Sequence, residues 1–155
     1  MAYFPLFVNL EGKTVLVIGG GTVAARRVNS LLEFGCEIQV VSPELGETME
    51  QLWRQEKVGW TQGIYEKKYL TGRERPVFVL AAANEDVNFQ VVKDCREAGI
   101  PVNDSAKKEH CDFYFPGLIK DGDVVIGVTT GGSDHKLAAA LSAKIRELIR
   151  KTLQA

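Results

Sequence analysis

The sequence has no apolar run near the roughly 20 residues that cross a bilayer. Its longest, TVLVIGGG and PVFVLAAA, are far shorter, so no membrane-spanning helix is expected. It also lacks charge imbalance: 19 basic and 20 acidic residues leave a net charge of −1. Bulk attraction to nucleic acid or to an anionic membrane is therefore not expected, and a small molecule is the expected partner. Cysteine is scarce. Cys36, Cys95 and Cys111 are an odd number at wide spacing in a chain long enough for a proper core, which fits reduced thiols rather than a disulfide frame. Cys36 and Cys95 sit in apolar-periodic segments and read as core. The opening MAYFPLFVNLEGK has no basic stretch followed by an apolar segment and a small-residue cleavage site, so the expected location is the cytoplasm. No internal repeat or low-complexity segment stands out, and 155 residues suit one domain with appendages.

What is present is punctuated alternation. TVLVI, residues 14–18, is a continuous β-branched run of the kind buried on both faces of a parallel sheet. Three glycines follow, and then Ala24, Val28, Leu31 and Leu32 recur at helical spacing up to Gly35, where a left-handed residue suits a helix end. A second strand over 37–41 stops at Ser42-Pro43. The pattern predicts further helices around 46–56 and 88–97, the latter with apolar positions at 89, 91, 92 and 95, and strands at 58–62, 77–82 and 100–103. Strands alternating with helices over such crossovers predict an α/β fold, a Rossmann-type doubly wound parallel sheet. After Phe113 the character changes. The turn Lys120-Asp121-Gly122 leads to a strand over 123–129, and TTGGSDHK leads into a helix whose Leu137, Leu141, Ile145 and Leu148 form one apolar stripe. The expected organisation is an NAD-binding domain over 1–113 and a strand-plus-helix dimerisation segment over 114–155, since apolar faces left over from a complete sheet need a second subunit to cover them.

Gly19-Gly20-Gly21-Thr22-Val23-Ala24 is a G-x-G-x-x-A stretch immediately after a strand and opening a helix. Gly19 permits the tight turn, Gly21 lets the backbone approach a pyrophosphate, and Ala24 allows close helix-to-strand packing. The helix start then offers free N–H groups and the positive end of its dipole to phosphate, with Thr22 and Val23 in its first turn. The acid usually found at the end of the second strand is displaced here: Ser42 occupies the strand end and Glu44 follows Pro43. Ribose contact is assigned to Ser42, Glu44 or backbone groups. No arginine follows directly, which favours NAD over NADP.

With these pieces in order, YFPLFVNLEGKTVLVIGGGTVAARRV, LAAANEDVN, the pair Val102-Asn103, CDFYFPGLI and VTTGGSDHKLAAAL, the chain resembles the precorrin-2 dehydrogenase family, the NAD-binding part of siroheme synthases. The resemblance implies a homodimer formed by the segment after the Rossmann domain, with a tetrapyrrole bound between subunits near the nicotinamide. It implies NAD-dependent oxidation of precorrin-2 to sirohydrochlorin, and in some members ferrous iron insertion. It puts Ala82, Ala83 and Asn103 beside the nicotinamide, and Arg26, of the pair Arg26-Arg27, toward cofactor or substrate. It also implies a further helical domain, expected to be missing beyond Ala155.

The family pattern has an aspartate three residues after Asn103, serving dehydrogenation and, where present, chelation. Here that position is Ala106. Asp104 is the nearest substitute; in an extended segment positions 104 and 106 face the same side, so its carboxylate is the expected proton acceptor, about 6 to 7 Å back along the strand. The alternative is a non-catalytic NAD- or tetrapyrrole-binding dimer that has lost its aspartate. His110-Cys111-Asp112 lacks metal-ligand spacing, so no metal site is expected. Thr130, Gly131 and Gly132 are candidates to hold a substrate carboxylate; otherwise the loop caps the final helix through Ser133 or Asp134. His135 is a further histidine foreign to the family pattern.

Overall fold

The computed structural model describes residues 3–72 and 74–153, and the outermost residues of the two expected segments, 1–2 and 154–155, lie outside the described residues. The chain divides into two compact units, residues 8–113 and residues 3–7 with 114–153.

Residues 8–113 run β1 (Thr14–Ile18), α1 (Thr22–Leu31), β2 (Glu37–Ser42), α2 (Glu47–Arg54), β3 (Gly59–Gln62), β4 (Phe78–Ala81), α3 (Glu85–Ala98) and β5 (Val102–Asp104). The sheet order is β3-β2-β1-β4-β5, and every pairing is parallel. This is the Rossmann-type sheet that the alternation predicts. Val15, Val17, Val40, Val79, Leu80 and Val102 are fully buried, as expected of strands covered on both faces. From β1 the chain moves outward one way to β2 and β3, and β4 and β5 extend the other way. The crevice at the carboxyl ends of β1 and β4 is therefore the point of topological switching, where such sheets bind ligands.

Local chemistry sets the boundaries. α1 tightens into a 3₁₀ turn, Leu32–Phe34, and Gly35 ends it in the left-handed region at φ 65°. α3 starts a turn earlier than its apolar periodicity suggests. The Asn84 side chain accepts the Val87 N–H, and Glu85 and Asp86 lie in the first turn, where capping and the helix dipole both favour them. Cys95 is fully buried, whereas Cys36 is only half-buried, because it precedes β2 rather than lying within it. Phe89 is exposed, although it shares the helical spacing of Val92.

In the other unit, β6 (Gly117–Asp121) and β7 (Val124–Val128) form an antiparallel hairpin followed by α4 (His135–Leu153). The sequence reading holds β7 and α4 but takes the end of β6 for a turn. The strand GLIKD carries no clear alternation, and it exists because β7 pairs with it, Ile119 opposite Ile126. The turn itself is one residue later, with Gly122 at φ 57°. Ser142 of α4 is buried and lies close to the hairpin, since a Cβ on Gly117 would stand 3.0 Å from its Oγ. Arg146 donates to the Leu118 carbonyl at 3.1 Å. Leu137, Leu141 and Leu148 remain exposed. No helix among the described residues is long and apolar enough to cross a membrane.

Candidate functional site

The three glycines after β1 face three different surroundings. Gly19 has φ 118°, and a Cβ there would lie 2.2 Å from the Ala82 carbonyl oxygen. A Cβ on Gly20 would lie 2.4 Å from the Glu44 carbonyl oxygen and 2.7 Å from Ser42 Oγ. At Gly21 it would meet nothing within 4 Å. The first two glycines thus allow close approach of backbone to backbone, while the third leaves open space directly over the start of α1. Gly21 caps α1 without a side-chain bond, and the first turn holds no acid, so its N–H groups and positive dipole end face outward. Thr22 and Val23 are exposed there, and Ala24 is fully buried against the sheet. An anion the size of a phosphate suits this cradle, and the residues present fit a dinucleotide pyrophosphate.

At the end of β2 the expected ribose contacts separate. Ser42 is buried. Its Oγ and carbonyl both accept from Trp60 Nε1 at 3.2 Å, and the hydroxyl lies under Gly20. In this position Ser42 supports the glycine loop from below. Glu44 is exposed, beyond the turn at Pro43, and its carboxylate is free of that packing.

Asp104 is enclosed at the end of β5. Its side chain is only 2% exposed. Oδ1 accepts from Asn88 Nδ2 at 3.0 Å and from the Ala106 N–H at 2.8 Å, and Oδ2 faces His110 Nδ1 at 2.9 Å. β5 ends at Asp104, and the bond to the Ala106 amide curls the chain into an Asx turn. The side-by-side alternation of 104 and 106 therefore does not continue, and Asp104 is buried rather than open to a substrate. Cys111 seals the same turn: the Asp104 N–H reaches its Sγ at 3.2 Å, and its thiol reaches the Asp104 carbonyl at 3.2 Å. Burial pushes the Cys111 thiol up from its ordinary value, so it is held as SH.

Asn103, expected beside the nicotinamide, is buried as well. Its Oδ1 accepts from Arg27, and its Nδ2 donates to the Phe113 carbonyl at 2.7 Å. Its amide is a brace between α1 and the segment after β5. Burial lowers the Arg27 guanidinium from its usual value. Arg26, one position earlier on α1, is exposed. Ala82 and Ala83 are half-buried in the β4–α3 loop. The Ala82 N–H donates to the Ile18 carbonyl at 2.8 Å, and the Ala83 N–H to Asn88 Oδ1 at 2.9 Å.

In the other unit, Gly131 and Gly132 take φ of 65° and 73°, and the half-buried Thr130 turns its hydroxyl inward, donating to the Asp134 carbonyl at 2.8 Å. Asp134 Oδ1 accepts the Leu137 N–H at 2.9 Å, which caps α4. His110, Cys111 and Asp112 diverge: Asp112 Oδ2 accepts the Val102 N–H at 2.9 Å. Among the described residues no group of three or more His, Cys, Asp or Glu could hold a metal ion. Sequence reasoning missed Asn88 and the pairing of His110 with Asp104. The only signal was a histidine in the loop after β5, and nothing in its spacing showed where it would turn.

A parallel sheet of this order with a glycine cradle at its switch point defines a dinucleotide-binding protein. The chain belongs to the family described as "Putative NAD(P)-binding", whose model matches residues 6–117. It is 36% identical over 155 residues to a siroheme synthase of Photorhabdus laumondii, covering 99% of this chain and 32% of that one. To a siroheme synthase of Neisseria meningitidis serogroup C it is 35% identical over 158 residues, again 99% of this chain and 32% of the other. The chain thus spans about a third of the length of these curated relatives. The solved structure titled "SirC, precorrin-2 dehydrogenase" matches with a TM-score of 0.81 at 21% identity, covering 94% of this chain and 70% of that one, a likeness of fold.

Proposed function

We propose that the chain is an NAD-dependent dehydrogenase that oxidises the reduced tetrapyrrole precorrin-2 to sirohydrochlorin, working as a homodimer. The observation that carries this reading is the open cradle at Gly21, joined through Gly19 and Ala82 to a polar cluster at the end of β5. Similarity to siroheme synthases along 99% of the chain supports the choice of substrate. Gly19, Gly21, Thr22, Val23 and Ala24 would hold the pyrophosphate by N–H groups and close packing, and the loop at Ala82 and Ala83 would wall the nicotinamide. When bound, the cofactor supplies the acceptor for the substrate's hydride. The exposed Glu44 carboxylate would receive ribose hydroxyls and repel a 2′-phosphate, which favours NAD over NADP.

Exposed Arg26 and the loop at Thr130, Gly131 and Gly132 are proposed to meet substrate carboxylates. The exposed leucines of α4 would be covered by the second subunit. Ala106 stands where the family carries its aspartate, so iron insertion is left without its usual carboxylate and is not proposed. The test is anaerobic incubation with precorrin-2 and NAD, following NADH absorbance and the sirohydrochlorin spectrum. No NADH, under conditions where a full-length siroheme synthase turns over, would sink the reading. Ala106 also favours a second reading, a dimer that binds NAD and tetrapyrrole without chemistry; saturable binding of both without turnover is its signature.

A further inference from the structure

We infer that His110 is the proton acceptor of the proposed dehydrogenation, and that Asp104 acts as its positioning residue rather than as the base itself. His110 holds this role only if the chain performs that reaction.

Asp104 Oδ2 lies 2.9 Å from His110 Nδ1. A carboxylate can only accept a hydrogen bond, so the neutral imidazole carries its proton on Nδ1 and leaves the Nε2 lone pair bare. The burial of the two partners is unequal: the side chain of Asp104 is 2% exposed and that of His110 is 24% exposed. A buried acid that fixes the tautomer of a partly open imidazole follows the general logic of a base and its orienting group. The dyad also stands at the correct edge. Asp104 pairs with Ala81 across β5 and β4, Ala82 meets Gly19, and Asn88 ties the Ala83 N–H to Asp104 Oδ1. Contacts thus run without a break from the glycine loop to the imidazole.

The surroundings of His110 are defined from each side. Asp104 faces it from β5. From α3 come the Phe89 ring, with centroids 6.1 Å apart, and Arg96, whose guanidinium donates to the His110 carbonyl at 3.3 Å. Lys107, Lys108, Glu109 and Cys111 flank it in its own loop, and Lys107 itself pairs with Glu85 of α3 at 3.1 Å. Arg27 of α1 acts on Asp104 and Cys111. Exposed Phe89 beside the imidazole offers a flat apolar surface for a macrocycle edge.

The step balances as a two-electron oxidation. One substrate C–H bond breaks, and its hydrogen leaves with both electrons to the nicotinamide ring, turning NAD into NADH. The oxidised macrocycle then gives up one proton from a ring N–H or adjacent C–H to His110 Nε2, and the imidazolium returns it to water.

Two experiments test this on the whole chain. In the free protein, nitrogen NMR of the two histidines, distinguished by a His135→Gln variant, should show neutral His110 protonated at Nδ1, and Asp104→Asn should weaken that preference. In turnover with precorrin-2 and NAD, His110→Ala should lose about 10²- to 10⁴-fold in kcat and the acid limb of the pH profile, with NAD affinity kept. Added imidazole should restore part of the rate. An Nε2-protonated His110 in the wild type, or a His110→Ala variant with wild-type rate and pH profile, would overturn the assignment while leaving the dehydrogenase reading intact. A wild type that binds NAD but never turns over would remove both.

Discussion

Gly19 and Ala82 meet backbone to backbone: a Cβ on the glycine would stand 2.2 Å from the alanine carbonyl oxygen. Gly21, two residues on, has nothing within 4 Å of the same added atom. One motif therefore contains a glycine required by the fold and a glycine that packing leaves free, for which the proposed pyrophosphate supplies a reason. Gly19→Ala should cost about 2–4 kcal/mol of stability, from the clash and from a φ of 118° that L side chains avoid. Gly21→Ala should change stability by no more than about 0.5 kcal/mol yet weaken NAD about tenfold or more, or about 1.4 kcal/mol. Thermal melts beside calorimetric titration with NAD separate the two; equal melting loss in both variants would contradict it.

Glu44 should set cofactor choice. Replacing it by arginine is expected to shift preference from NAD toward NADP by about tenfold or more, since a like charge becomes an opposite one facing the 2′-phosphate. Ser42→Ala should leave that ratio unmoved, because the Ser42 hydroxyl is engaged with Trp60. Dissociation constants for the two reduced cofactors, read by nicotinamide fluorescence, decide it.

Asn88 bridges the Ala83 N–H and Asp104 and is fully buried. Asn88→Ala should cost about 2–4 kcal/mol in urea denaturation, because the buried Asp104 carboxylate and the half-buried Ala83 N–H each lose a partner. Asn88→Asp sets a second carboxylate against Asp104, and its deficit should shrink as the pH falls and one of the pair takes up a proton.

Burial pushes the Cys95 thiol from 9.0 up to about 12. Its folded value exceeds its unfolded one, so the folded chain holds the proton longer. Stability from this group is complete below about pH 9 and is lost as pH rises toward 12. Chemical denaturation across that window should show a falling midpoint, and Cys95→Ala, less stable at neutral pH, should fall less steeply. Alkylation under native conditions should reach half-buried Cys36 well before Cys95.

In the proposed homodimer, the exposed leucines of α4 are covered. Leu141→Lys with Leu148→Lys should yield a folded monomer by light scattering, with its helical circular dichroism retained. A species of unchanged mass would show that this face is not the contact.

The parts of the fold that were legible in the sequence are those ruled by local chemistry. A β-branched run, three glycines and an apolar helical stripe describe β1, the loop and α1 without outside information, and Gly35 announces the helix end by its need for positive φ. β6 was not legible, because GLIKD becomes a strand through its pairing with β7 and has no pattern of its own. Ser42, Asn103 and Asp104 were legible as polar residues at strand ends, but their bonding partners were not. Each looked available to a ligand, and each is buried and bonded to another part of the chain.

The sequence by itself determined the alternation of strands and helices from β1 to β5, the glycine stretch and the absence of an aspartate at Ala106, since these depend on residue type and near-neighbour spacing. Only the tertiary structure decided that the Asp104 carboxylate turns inward, that Asn88 braces it, and that His110 stands at its outer side. The reason is physical. A turn closes by whichever donors folding brings within about 3 Å, and those donors come from α3 and from a loop six residues on, which no periodicity connects to β5.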